Sequence, residues 1–123
     1  MPRDERGGDV MKAAMLVKWS FPYPGRETAA LAYGREADEF WGKKAADGVC
    51  SEPKWFWGTT GENFWFVEAE FEVLLGLMAT PEVQGLLLKG GILMQDFEYG
   101  LYQVGREEML VPYEQTLAGL KIK

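Results

Sequence analysis

The strongest alternation of hydrophobic and polar positions lies between Lys54 and Glu72, KWFWGTTGENFWFVEAEFE, where two runs of strand-forming aromatics flank a Thr-Thr-Gly-Glu-Asn turn. This is the pattern of a β-hairpin. Strand side chains alternate, so the second arm places Trp65, Val67, Ala69 and Phe71 on one side and Phe64, Phe66, Glu68, Glu70 and Glu72 on the other. The first side is wholly apolar, and the second passes from aromatic to acidic. Helices on one face of a single sheet cover the first side and leave Phe64 and Phe66 wet. The second side therefore calls for a partner subunit.

The rest of the chain supplies the elements around this hairpin. AAMLVKWSF, from Ala13 to Phe21, is strand-like, with Met15, Val17 and Trp19 on one face and Leu16, Lys18 and Ser20 on the other. Pro22, Pro24 and Gly25 then turn the chain into a helix predicted from Arg26 to Asp47, because Ala30, Tyr33, Ala37, Phe40, Trp41 and Ala45 recur at helical spacing. Gly48 followed by Val49 fits a left-handed glycine cap closed by a hydrophobic residue. Gly34 and Gly42 inside this helix each cost about 0.8–1 kcal/mol of propensity relative to Ala. They fit either a close approach to sheet or ligand, or tolerated surface positions. EVLLGLMA predicts a short helix, and Thr80-Pro81 restarts it, with Thr as N-cap and Pro in the first helical position. Val83, Leu86 and Leu87 form the buried stripe of that second piece, and Gly90-Gly91 is predicted to end it. Asp96 to Gly105 is the last strand, with Phe97, Tyr99 and Leu101 opposite Glu98, Gly100 and Tyr102.

The order is β-α-β-β-α-β, which predicts an α+β, ferredoxin-like fold: a four-stranded antiparallel sheet with helices on one face. The domain is expected at residues 13–105, between a flexible arm at 1–12 and a tail at 106–123. That tail holds Pro112, Tyr113, Leu117, Leu120 and Ile122 and is expected to lie on a surface, its own or the partner's.

Composition narrows the chemistry. A chain of 123 residues that is 47% hydrophobic suits one domain with its own core. A net charge of −6, with Lys and Arg scattered among acids, gives no phosphate-neutralising patch, so nucleic acid is not an expected partner. The lone Cys50 reads as a small packed residue and cannot form an intramolecular disulfide; MPRDERGGDV carries charge where a signal peptide would be apolar. A cytoplasmic protein is expected. The longest apolar run, Val73 to Ala79, is far short of the roughly 20 residues that span a bilayer, so no membrane segment is expected. There is no histidine, which removes the usual pH-7 base, the common zinc ligand and the usual haem ligand. No metal site and no cofactor are expected.

Three stretches carry a resemblance to the dimeric α+β barrel superfamily, which includes antibiotic-biosynthesis monooxygenase-like, EthD-like and stress-responsive barrel proteins. They are MLVKWSF running on through YPGRETAALAYGREADEF, the hairpin FWGTTGENFWFVEAEF, and the broken helix EVLLGLMATPEVQGLLLKG. Together they cover nearly all of residues 13–105, and they are patterns of a fold rather than catalytic motifs. The resemblance implies a homodimer in which two four-stranded sheets face each other to close a barrel, with any ligand held between sheet and helices. It implies a small barrel protein binding an apolar or aromatic molecule, or alternatively a cofactor-independent monooxygenase-like or EthD-like enzyme acting on an aromatic or polyketide-type substrate. In the enzyme reading, polar groups deprotonate a phenolic substrate and the carbanion meets oxygen. Only Tyr, Glu, Lys, Arg and Asn63 are available for that, and Asn63 sits at a turn.

Two sets of candidate residues follow. If the first strand lies between the third and fourth, as this fold implies, Lys18 faces the barrel beside Glu68, Glu70 and Glu98, on the side that also carries Phe56, Phe64 and Phe66. Such a lysine is either part of a structural ion-pair layer or a tuned proton-transfer group. The helix-facing side offers Trp19, Tyr33, Trp41, Trp65 and Tyr99, with Trp55 or Trp57 added according to the hairpin register. These aromatics are either core or the lining of a pocket for a flat ligand.

Overall fold

The computed structural model describes residues 12–105 and 110–120. In chain order run β1 (Lys12–Trp19), α1 (Glu27–Ala46), β2 (Lys54–Trp57), β3 (Asn63–Glu70), α2 (Phe71–Met78), α3 (Pro81–Leu93), β4 (Glu98–Gln103) and α4 (Leu110–Leu120). The strands form one antiparallel sheet in the order β2-β3-β1-β4, the ferredoxin-like arrangement that the alternation of elements predicts. Of the arm expected at residues 1–12, only Lys12 is described, and it opens β1. Within the expected tail, α4 carries Leu110, Tyr113, Leu117 and Leu120 at helical spacing, all exposed. The remainder of the tail lies outside the described residues.

Register decides which side chains meet. In the β1–β3 ladder Met15 pairs with Val67 and Val17 with Trp65; in the hairpin Trp55 pairs with Trp65 and Phe56 with Phe64. Ala13, Met15, Val17, Trp65 and Val67 thus share one face, and all are buried under α1, α2 and α3. From α1 come Ala30, Tyr33, Ala37 and Trp41, one residue per turn of the predicted stripe. Leu74 of α2 and Val83, Leu86 and Leu87 of α3 complete the core. Fully burying side chains of this size contributes about 1.5–3 kcal/mol each.

The helix ends follow their local chemistry. After α1, Gly48 has a φ of 77°, its N–H donates to the Ala45 carbonyl, and the Val49 N–H reaches back to Lys44. This is a Schellman closure, available because glycine carries no side chain to clash there. Thr80 caps α3, its hydroxyl oxygen accepting from the Val83 N–H, with Pro81 in the first helical position. The predicted stop at Gly90-Gly91 is wrong: α3 continues to Leu93. Gly90 is an interior, buried position where a Cβ would lie 2.5 Å from the Phe97 ring and 2.7 Å from the Tyr33 hydroxyl oxygen. It is there because α1 and the approach to β4 leave no room for a side chain.

No single described helix is long and apolar enough to cross a membrane, and α2 and α3 bend by 71° at their junction.

Candidate ligand-binding cleft

The helix–sheet interface is not filled along its whole length. Toward β2, α1 turns a second flank to the sheet, Leu31, Gly34, Arg35 and Asp38, beside its buried stripe. Opposite it the sheet presents Trp19 from β1, Trp65 from β3, and both Trp55 and Trp57 from β2. Between them lies an open cleft of about 710 Å³. A volume of this order is ordinary for a small-molecule site.

The sequence explains why the cleft stays open. On α1 the residues above it are small at Ala30 and absent at Gly34, where a Cβ would meet nothing within 4 Å. The indoles below support one another rather than collapsing upward. Trp55 and Trp57 stack at 5.7 Å with ring planes 9° apart, and Trp19 meets each of them edge-on at 5.7 Å. Such pairs are worth about 0.5–1.5 kcal/mol beyond their burial. One end is closed by Phe21, Pro22 and Met94, strapped together by Ser20 N–H to Gln95 O at 3.0 Å, Gln95 N–H to Phe21 O at 2.8 Å and Tyr23 N–H to Leu93 O at 3.0 Å. The Phe21 ring lies against Gly61, whose φ of 87° and lack of a side chain both suit that contact. Near the other end, the Trp55 indole N–H donates to the Asp38 carboxylate at 2.8 Å and ties β2 to α1.

Most polar groups around the cleft are occupied by the fold. Asn63 does not sit in the turn, as its neighbours suggested; it opens β3, is buried, and lines the cleft. Its amide donates to the Ser20 carbonyl at 2.8 Å and accepts from the Gly58 N–H at 3.0 Å, so it holds the hairpin turn to the end of β1. The Tyr33 hydroxyl donates to the Leu86 carbonyl at 2.7 Å. Burial, helped by the nearby Glu36 charge, holds that phenol well above its ordinary pKa. Burial also raises the Cys50 thiol, partly offset by Lys44, and Cys50 packs against the core away from the cleft. Arg35 alone among the charged lining groups has no hydrogen bond or ion pair within the described residues. Those residues contain no group of three or more carboxylate or thiolate side chains placed to hold a metal ion.

The candidate pocket aromatics therefore separate. Trp19, Tyr33 and Trp65 line the cleft, joined by both Trp55 and Trp57. Trp41 is core, 2% exposed and wedged between Phe40 and Trp65. Tyr99 is 47% exposed on the edge strand β4 and lies outside the cleft. Phe21, Arg35 and Asp38 were missed. The last two were legible only as part of a second helical flank, Leu31, Gly34, Arg35 and Asp38 at i, i+3, i+4 and i+7.

On the opposite face, Phe56 stacks on Phe64 at 4.6 Å and on Phe66 at 6.0 Å, so these rings form one patch. Phe56 is 37% exposed, and the Phe64 and Phe66 side chains are half-buried. Lys18 pairs with Glu98, Nζ to Oε2 at 3.3 Å, with both side chains largely in water. It does not sit beside Glu68 or Glu70. In the antiparallel register those residues fall opposite Ala14 and Lys12, toward the far end of β1.

The sequence matches no protein-family model and no curated protein. Solved structures do match the fold. The structure of Rv0793 from Mycobacterium tuberculosis superposes with a TM-score of 0.60 at 15% identity, covering 78% of this chain and 97% of that one. A candidate antibiotic biosynthesis monooxygenase from Chloroflexus aurantiacus J-10-fl superposes with a TM-score of 0.50 at 16% identity, covering 78% and 96%. The chain thus shares the ferredoxin-like α+β fold of these two structures.

Proposed function

We propose that this protein is a cytoplasmic homodimeric α+β barrel that binds a small, flat, apolar or aromatic molecule between α1 and the sheet. The observation that carries this reading is the cleft of about 710 Å³ with Trp19, Trp55, Trp57 and Trp65 on its sheet side. A core without a binding role would be packed there as it is around Trp41, since protein interiors are close-packed. Binding is favoured over turnover because the Asn63 amide, the Tyr33 hydroxyl and the Asp38 carboxylate are each engaged in bonds that hold the fold. The experiment is a calorimetric titration of wild type and Gly34→Leu with 2-naphthalenemethanol. Saturable binding in wild type, abolished in a Gly34→Leu protein of undiminished melting temperature, is the expected result. Equal binding by both proteins overturns the reading.

The dimer is supported by the face carrying Phe56, Phe64 and Phe66, a stacked aromatic patch whose rings stay partly exposed. Burial of these rings against a second copy would contribute on the order of 1.5–3 kcal/mol each. Lys18 and Glu98 lie on that face, so enclosing them would turn an exposed pair into a desolvated one. Sedimentation should show a dimer at micromolar concentration, weakened by Lys18→Met and abolished by Phe64→Glu. A wild-type monomer would sink this half of the proposal without touching the cleft.

A further inference from the structure

We infer that the molecule held in the cleft is an aromatic anion, a planar ring system bearing a single carboxylate, and that Arg35 receives the carboxylate; this rests on the cleft reading above. The cleft is lined by two charged side chains, Arg35 and Asp38. They differ in what they already do. Asp38 accepts the Trp55 indole N–H at 2.8 Å, which directs its carboxylate toward β2. Arg35 makes no hydrogen bond or ion pair among the described residues, whose ion pairs are Lys18–Glu98 and Lys89–Glu36. Its guanidinium is a planar fork of donors with no acceptor among the described residues.

Position adds to this. Arg35 stands on the α1 flank immediately beside Gly34, where more than 4 Å of clear space replaces a side chain. A flat ring lying over the indoles would bring a substituent on its rim toward the guanidinium. The chain as a whole repels anions, with a net charge of −6, but that field is screened over about 8–10 Å at moderate salt. Preference for an anion must then come from a local donor. The fork matches a carboxylate with two parallel bonds, and a single cation suits a single negative charge rather than a phosphate or a polyanion. Asp38, one turn away on the same flank, works against the anion and limits the gain.

Two probes of the same ring system, 2-naphthoate and 2-naphthalenemethanol, separate this inference from the cleft reading. Titrated calorimetrically at pH 7, wild type is expected to bind the carboxylate about five- to tenfold more tightly than the alcohol, the scale of a charge-assisted contact at a partly solvated site. Arg35→Gln should erase that preference, Arg35→Lys should retain part of it, and Asp38→Asn should enlarge it. Equal affinity of both probes in wild type, or a preference that survives Arg35→Gln, overturns the assignment of Arg35 and leaves the cleft reading standing. Binding of neither probe overturns both.

Discussion

The two halves of the helix–sheet layer are built from the same residue types and end up in different states. Around Trp41 the layer is full: Met15, Val67, Leu74 and Val83 are each 1% exposed or less, and Trp41 itself is 2% exposed. Around Trp57 it is open, and that indole is 69% exposed although it has two aromatic neighbours on the same face. Apolar content does not separate them. What differs is the covering. The full half has α2 and α3 as well as α1 above it, whereas the open half has only α1, stepped back by Ala30 and Gly34. A cavity here is a property of two small residues and a short edge strand.

Substitutions in the two halves should behave differently, and the largest effect is at Trp41. Trp41→Ala empties a close-packed site and should cost about 3–5 kcal/mol by urea unfolding, while Trp57→Ala should cost about 1 kcal/mol or less. Similar losses at both would erase the distinction between the halves. The two helical glycines sharpen it with opposite signs. Gly90→Ala must displace Phe97 or the tethered Tyr33 and should be net destabilising by about 1–2 kcal/mol, after the helix-propensity gain is subtracted. Gly34→Ala meets open space and should stabilise by up to about 1 kcal/mol. Thermal melts of the pair are enough to check both.

An effect of similar size to that at Gly34 is expected at Tyr33, which borders both halves. Tyr33→Phe removes the hydroxyl bond to Leu86 and should cost about 0.5–1.5 kcal/mol at pH 7. Its pH dependence carries a sign. The folded protein holds the phenol proton above the pH at which the unfolded chain releases it, so this contribution is complete below about pH 10 and is lost as pH rises from there toward the folded value. Wild type should therefore lose stability relative to Tyr33→Phe on going from pH 8 to pH 11. A constant difference between them over that range would remove burial of the ionisable phenol from the account.

Much of this was legible in the residues themselves. Alternation in the hairpin put Phe64 and Trp65 on opposite faces, Thr80-Pro81 marked the restart of the broken helix, and Gly48-Val49 marked the end of α1; each is a local rule and each holds. Failures came where a distant contact decides. Gly90 looks like a stop until Tyr33 and Phe97 are seen against it. Asn63 looks like a turn residue until its amide is seen bridging Ser20 and Gly58. Lys18 shares a face with Glu68, but the antiparallel register separates them along the strand, which a face assignment alone does not encode. The cleft depended on something subtler still, a second flank of α1 beside an orthodox core stripe, where polar residues conceal a surface that faces the sheet.

The five tryptophans give the most direct test, because four line the cleft and Trp41 lies in the filled half. Their indole N–H resonances can be followed separately in a 15N-labelled sample titrated with 2-naphthoate. Saturable shifts at Trp19, Trp55, Trp57 and Trp65, largest at the two indoles of β2 and smallest at Trp41, are what the account predicts. A shift at Trp41 as large as that at Trp57, or no shift at any indole at millimolar probe, would contradict it.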